Sequence, residues 1–200
     1  MSAKTLVGIV LAAGESARMG SPKQLLPFRG TTLLNYVVRQ VENSQLDAVV
    51  VVTGAHGAAV ESQLQAGRAI VVRNPDYRRG NVSSLSVGAG AMPDAGAVLL
   101  VNGDMPEVDT ELIDRFVGIW HEEQPWAAVG EYRDGVAHPF LLSAAARDAV
   151  LGTQEPKALW RLLVAEPAEV VRRVPIDRPR PTDVNTAEDY EALLGEGWPA

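Results

Sequence analysis

The sequence predicts an α/β fold: a single-domain, three-layer α/β/α sandwich built on a doubly wound, mainly parallel sheet. Short runs of branched apolar residues alternate with segments of helical periodicity, the order that parallel strand–helix–strand units produce. The runs are apolar on every residue, as in strands covered on both faces. The 200 residues, 46% hydrophobic and 22% charged, are enough for one substantial core.

The elements follow in order. LVGIVLAA (6–13) forms the first strand and breaks at Gly14. A polar, Gly-punctuated stretch to Gly30 leads to a helix from about Thr32, where Leu33, Leu34, Val37, Val38 and Val41 recur at helical spacing. Next come a strand over 48–54, a helix around 57–66, a strand over 69–72, a helix from near Val82 and a strand in AVLLVNGD (97–104). The second half reads as a helix from Asp109 to His121, strands over 126–132 and 138–143, helices near 143–151 and 156–164, and a strand around 170–174. The Pro-rich turn RPRPTD then leads to a last helix from Thr186 with acids in its first turn, and the Gly-Trp-Pro-Ala end is expected to fray. One domain thus spans 1–200, with a first half over about 5–125 and a second half over about 126–195.

Composition excludes several chemistries. With no cysteine there is no disulfide, thiolate nucleophile or Cys-ligated metal, and three histidines (His56, His121, His138) make a His-built metal site a poor fit. No apolar run approaches the roughly 18 to 20 residues of a membrane helix, and TLVGIVLAAG lacks a signal peptide's length, basic flank and cleavage context. The expected location is the cytoplasm, without membrane attachment. A net charge of −7 argues against nucleic acid as a partner. That charge is uneven: five cations against Glu15 alone give the first forty residues +4 and leave −11 on the other 160. A cationic N-terminal region on an acidic body points to a local anion site.

The cations collect beside LAAGESARMGSPKQLLPFRG (11–30). A buried strand opening into Gly14, Ser16, Gly20 and Ser21 presents main-chain N–H groups with little obstruction, and Arg18 and Lys23 add charge, a combination suited to phosphates. An ordinary strand–helix loop would look similar but does not account for the local basic excess. The segment fits neither G-x-x-x-x-G-K-[ST] nor G-x-G-x-x-G. It resembles the signature of the MobA-like nucleotidyltransferases, L-A-[AG]-G-x-S-x-R-M-G-x-x-K, at Leu11, Ala12, Ala13, Gly14, Ser16, Arg18, Met19, Gly20 and Lys23. Within that family it is most similar to the molybdenum cofactor cytidylyltransferase (MocA-like) branch, because Ala13 stands where guanylyl-transferring relatives usually show Gly. The resemblance implies a Rossmann-like fold of the nucleotide-diphospho-sugar transferase type. It also implies that the loop wraps a nucleotide triphosphate whose charge Arg18 and Lys23 neutralise.

The acids come next. Asp104 in VNGDMPEVD falls just past the carboxyl end of a buried strand, where open α/β sheets bind ligands and where one carboxylate can hold Mg²⁺. Alone, Asp-x-Pro reads as a turn; the resemblance assigns Asp104 to the metal. PTDVNTAEDYEALL resembles the family segment that completes the metal site, with Asn185 the best match and Asp183 an open alternative, although Asn185 and Thr186 also suit a helix N-cap. Glu107, Asp109 and Asp189 read as solvated or helix-dipole acids.

RNPDYRRGNVSSLSVG (73–88) resembles the family's base-pocket segment, which singles out Asn74, Gly80, Ser83 and Ser84, each also suited to capping. Gly54 in TGAH is placed to let a base approach closely. AHPFLLS resembles the acceptor-side segment, which makes His138 a contact for a pterin-type substrate or its phosphate. GTQEPKALWRLL puts Lys157 at an Arg position of the family and lacks its Asp, and Ala137 replaces a Gly. The resemblance makes about 5–125 the nucleotide-binding half and about 126–195 the acceptor-binding half, and these departures fall on the latter.

The resemblance implies Mg²⁺-dependent transfer of CMP from CTP to the phosphate of a molybdopterin-type cofactor, with release of pyrophosphate and no protein nucleophile. Transient contact with a molybdoenzyme or its chaperone is a further expectation. The alternatives are guanylyl transfer, a sugar-phosphate acceptor, or a nucleotide- or cofactor-binding delivery protein without turnover.

Overall fold

The computed structural model describes residues 5–153, 155, 157–165 and 170–195, so the expected frayed end lies outside the described residues. β1 (Leu6–Ala12) is buried on every residue because helices cover both of its faces. Leu6, Val10 and Ala12 enter one apolar cluster, and Val7, Ile9 and Leu11 enter the other. Period-two alternation thus feeds two cores at once, which is why the sequence run is apolar throughout.

After a small hairpin of β2 (Pro27–Phe28) and β3 (Thr31–Thr32), α1 runs over Leu33–Glu42, with the Thr32 side chain accepting from Asn35 N–H at its start. β4 (Ala48–Thr53), α2 (Gly57–Gln63), β5 (Ile70–Arg73), α3 (Asn81–Gly90) and β6 (Ala97–Asn102) follow in the expected alternation. α4 (Thr110–Glu123) is capped by Asp109, which accepts from Leu112 N–H at 2.8 Å. Then come β7 (Ala127–Tyr132), β8 (Gly135–Ser143), α5 (Ala144–Gly152), a single turn α6 (Ala158–Trp160), β9 (Val171–Ile176) and α7 (Ala187–Gly195). Two helices are shorter than their periodicity predicts. α2 stops at Gln63, with Leu64 already extended, and the 156–164 segment yields only α6 before widening into a π-turn over Arg161–Ala165.

The seven strands lie in the order β5-β4-β1-β6-β8-β7-β9. β5, β4, β1 and β6 are mutually parallel, and β9 is parallel to β7. β8 inserts between β6 and β7 antiparallel to both, the one reversed strand of this sheet among the described residues. α1 and α4 pack on one face, and α3 and α5 on the other. The chain therefore leaves β1 toward β4 and later returns to its other side with β6, which opens a crevice at the carboxyl ends of β1 and β6.

α7 belongs to neither main core. Val184 and Leu193 pack with Phe28 and Leu33, against partly buried Tyr36 and Tyr190. That third cluster fastens the segment before α7 to the hairpin and to α1, beside the crevice.

Candidate active site

A cleft of about 200 Å³ occupies the crevice. It is lined by Leu11, Ala12, Ala13 and Gly14 from the end of β1, by Lys23 and Gln24, by Tyr77 in the turn ahead of α3, and by Asn81 and Ser84 in the first turn of α3. Asn102, Gly103 and Asp104 beyond β6 and Asp183 and Asn185 before α7 complete it.

The loop after β1 is held from within. Gln24, 3% exposed, donates through Nε2 to the carbonyls of Ala12 (3.2 Å) and Gly14 (3.1 Å). Ser16, at φ 54°, accepts Lys23 N–H on Oγ at 3.0 Å and donates to Gln24 Oε1 at 3.3 Å. Gly54 presses on the same loop: a Cβ there would lie 2.6 Å from the Ala13 carbonyl oxygen, and Ala55 N–H donates to that oxygen at 3.2 Å. Only glycine permits that approach, so Gly54 shapes the cradle from behind and does not line the cleft.

Lys23 reaches across to the far side of the crevice. Its ammonium donates to Asp104 Oδ2, to the Val184 carbonyl at 2.8 Å and to Asn185 Oδ1 at 3.1 Å, and lies 4.0 Å from Asp183 Oδ1. Asp104 is 7% exposed; burial pushes its carboxyl up to about 7, against the pull of Lys23 and with the help of the neighbouring Asp183. Burial raises Asp183 too, but hydrogen bonding to Asp104 and Asn185 and the Lys23 charge hold it below the usual carboxylate range. At the head of α7, Asp189 accepts the N–H groups of Asn185 (2.9 Å) and Thr186 (2.8 Å), while Thr186 Oγ1 accepts Asp189 N–H at 3.2 Å. This reciprocal cap uses Thr186 and Asp189 and leaves the Asn185 side chain turned to Lys23.

Two carboxylates, an amide oxygen and a main-chain carbonyl thus converge on one cation. Among the described residues no group of three or more His, Asp and Glu is gathered closely enough to hold a metal ion by itself. The all-oxygen set suits a hard divalent ion that takes one or two protein carboxylates and completes its shell with water and phosphate.

Of the remaining sequence candidates, all but Ser84 lie outside this lining. Asn74, 1% exposed, donates to Ser83 Oγ (2.9 Å) and Ser84 Oγ (3.0 Å) and accepts Asp76 N–H (2.9 Å), so it folds the 74–84 loop from inside. Of this set only Ser84 reaches the cleft. Ser83 donates to the Gly80 carbonyl at 2.8 Å, and Gly80, at φ 88°, makes the left-handed turn into α3. Arg18 is exposed in its loop, near enough for its charge to act on Asp189. His138, 6% exposed, faces the Leu100 carbonyl through Nδ1 at 3.0 Å and stacks on Phe140 at 4.1 Å, and burial pushes its imidazole down to about 4. Lys157 is exposed beside α6.

Sequence reasoning missed Gln24, Tyr77, Asn81, Asn102 and Gly103. Each lies within three positions of a residue it chose, so the motifs were found but not which members face the cleft. Glu107, read as a solvated acid, instead accepts Thr182 N–H, and Asp109 adds an ion pair with Arg178 at 2.8 Å to its capping role.

A family model described as the MobA-like NTP transferase domain matches residues 8–170. The chain belongs to this nucleotidyltransferase family. The match takes in the loop after β1, Lys23, Asn74 to Ser84, Asp104 and His138, and stops short of Asp183 and Asn185. Among curated proteins, the chain is 30% identical over 136 residues to the molybdenum cofactor cytidylyltransferase of Escherichia coli (strain K12), covering 68% of each. It is 28% identical over 196 residues to nicotine blue oxidoreductase of Paenarthrobacter nicotinovorans, covering 94% of this chain and 96% of that one. Among solved structures, Rv0371c from Mycobacterium tuberculosis H37Rv superposes with a TM-score of 0.83 at 31% identity, covering 96% of this chain and 99% of that one. Rv0371c has also been solved in complex with manganese, with a TM-score of 0.80. The family thus has the Rossmann-like, mostly parallel sheet found here. Among the described residues no helix is long and apolar enough to cross a membrane.

Proposed function

We propose that this chain transfers CMP from CTP to the phosphate of a molybdopterin-type cofactor, releasing pyrophosphate, with Mg²⁺ as its metal. The observation that carries the reading is the convergence of the loop after β1, Lys23, Asp104, Asp183 and Asn185 on one cleft. The relationship to the Escherichia coli cytidylyltransferase supports the choice of nucleotide and acceptor, and the manganese complex of Rv0371c supports a divalent ion.

In this reading an acceptor phosphate oxygen attacks the α-phosphorus, a new P–O bond forms, the bond between α-phosphorus and the bridging oxygen breaks, and pyrophosphate carries away the electron pair. A phosphate monoester is already anionic near neutral pH, so no side chain has to remove a proton. The residues 11–14 fix the triphosphate against the end of β1, and Gln24 keeps that backbone in place. Lys23 and, at the mouth, Arg18 offset charge that builds on the leaving oxygens. Asp104, Asp183 and Asn185 would hold the divalent ion, which when bound would supply charge neutralisation for the triphosphate. Tyr77, Asn81 and Ser84, on the α3 side of the cleft, are placed to select the base.

A second reading keeps the transfer but changes the acceptor. His138 is buried against Leu100, and both it and Lys157 are absent from the cleft lining, so neither of the two acceptor candidates is open to the cleft. The near full-length relationship to nicotine blue oxidoreductase also ties this chain to a relative named for a different activity. Pyrophosphate release measured with CTP, GTP, ATP and UTP, with and without molybdopterin, decides between them. Release with CTP and molybdopterin together is the expected result. Preference for GTP overturns the cytidylyl assignment, and silence in every combination favours a binding protein.

A further inference from the structure

We propose that the Lys23 ammonium is a built-in stand-in for the divalent cation, which must displace it to enter, so that the cation binds tightly only together with the nucleotide's phosphates. The inference rests on the reading of this cleft as a cation–nucleotide site.

The ammonium's three N–H donors are all taken, by Asp104 Oδ2, the Val184 carbonyl and Asn185 Oδ1, with Asp183 Oδ1 4.0 Å away. These are the oxygens that would hold the metal. They come from two segments about eighty residues apart, and Lys23 ties them together as a metal would. The Lys23 side chain is only 13% exposed, so an ammonium pushed out of this nest has to find new anions or water. Its backbone cannot follow, because its N–H is fixed on Ser16 Oγ at 3.0 Å and Gln24, the next residue, is anchored to Ala12 and Gly14. The movement left to it is a swing of the four-carbon side chain. Within reach is the loop 11–14, which lines the same cleft. A triphosphate on that loop would give the ammonium new oxygen partners, whereas a bare cation would expel it with none. One side chain thereby competes with the metal before the nucleotide binds and serves the phosphates afterwards.

The test uses the full chain with Mn²⁺ alone, its free ion followed by electron paramagnetic resonance. Lys23→Met should bind Mn²⁺ at least about tenfold more tightly than the wild type without nucleotide, since no buried ammonium has to be displaced. A second measurement needs no variant. The chain has three lysines, Lys4, Lys23 and Lys157, so acylation of each amine can be followed by peptide mass spectrometry. Lys23 should be the slowest to react in metal-free protein and become several-fold faster once Mn²⁺ saturates the site. Equal Mn²⁺ affinity in the two proteins, or Mn²⁺ binding that leaves Lys23 as protected as before, overturns the displacement while the cation reading of the cleft survives. Absence of Mn²⁺ binding in both proteins overturns the cation reading and this inference with it.

Discussion

Arg178 donates to Asp109 Oδ2 at 2.8 Å and, through its other terminal nitrogen, to the Glu107 carbonyl at 2.9 Å. Glu107 in turn accepts the N–H of Thr182 on its carboxylate. The segment that carries Asp183 and Asn185 is therefore bolted to the loop that carries Asp104. The clamp sets the separation between the two halves of the oxygen nest without touching the cleft.

Arg178→Ala should accordingly separate positioning from folding. The ion pair is partly exposed, so the stability loss should be about 1 kcal/mol. Mn²⁺ affinity should fall about tenfold, because Asp183 and Asn185 lose their reference to Asp104, and Arg178→Lys should recover only part of it. Urea unfolding and Mn²⁺ titration on the same samples check this; a stability loss with unchanged Mn²⁺ binding would reduce Arg178 to a structural role.

Gln24→Leu removes the two hydrogen bonds that hold Ala12 and Gly14 from inside. The variant should lose about 1 to 3 kcal/mol of stability, the scale of stranding buried polar groups. Nucleotide affinity should fall further than that of a control at exposed Gln65. Equilibrium unfolding and nucleotide titration provide the two readouts.

His138 makes stability depend on pH in a definite direction. Burial lowers its folded pKa to about 4, below the ordinary 6.5, so between those values the unfolded chain binds more protons. Stability from this group is complete above about 6.5 and is lost as pH falls toward 4, up to about 3 kcal/mol. Asp104 works the other way, since its folded value near 7 exceeds 3.8 and its contribution is lost as pH rises between them. The difference between wild type and His138→Gln, followed from pH 7 to 4 by denaturant unfolding, isolates the histidine. A parallel pair of curves would show that His138 is not titrating as described.

Asp104→Asn keeps the shape of the nest and removes its buried charge. Pyrophosphate release should drop by about 10² or more while the fold persists, the scale of losing one preorganised electrostatic group. In the wild type, Mn²⁺ affinity should climb as pH rises to about 7 and level off above it, because the metal displaces a proton from Asp104. Retention of full pyrophosphate release in the variant would remove Asp104 from the metal site.

Local sequence was enough for most of the fold. β1, α1, β4, α3, β6 and α4 follow from runs of branched residues and from helical spacing, because those patterns report which faces are covered. Where the tertiary context decides, the pattern fell short. α2 and α6 are truncated, and nothing in HPFLLS announces that β8 runs antiparallel between β6 and β7.

The site divides along the same line. The sequence by itself determined the strand-to-loop segment at 11–14, the lysine that follows it, and the acid just past β6, because each is a short-range arrangement of residue types. Only the tertiary structure decided that Lys23 meets Asp104 and Asn185, 81 and 162 positions away, since the crevice arises from strand order and from α7 docking through Val184. It also decided which motif members look inward. Ser84 faces the cleft while Ser83 and Asn74 knit their own loop, and Gln24 and Gly54 support the cradle from behind. Side-chain direction depends on how neighbouring backbones pack, and a motif read along one chain does not contain its neighbours.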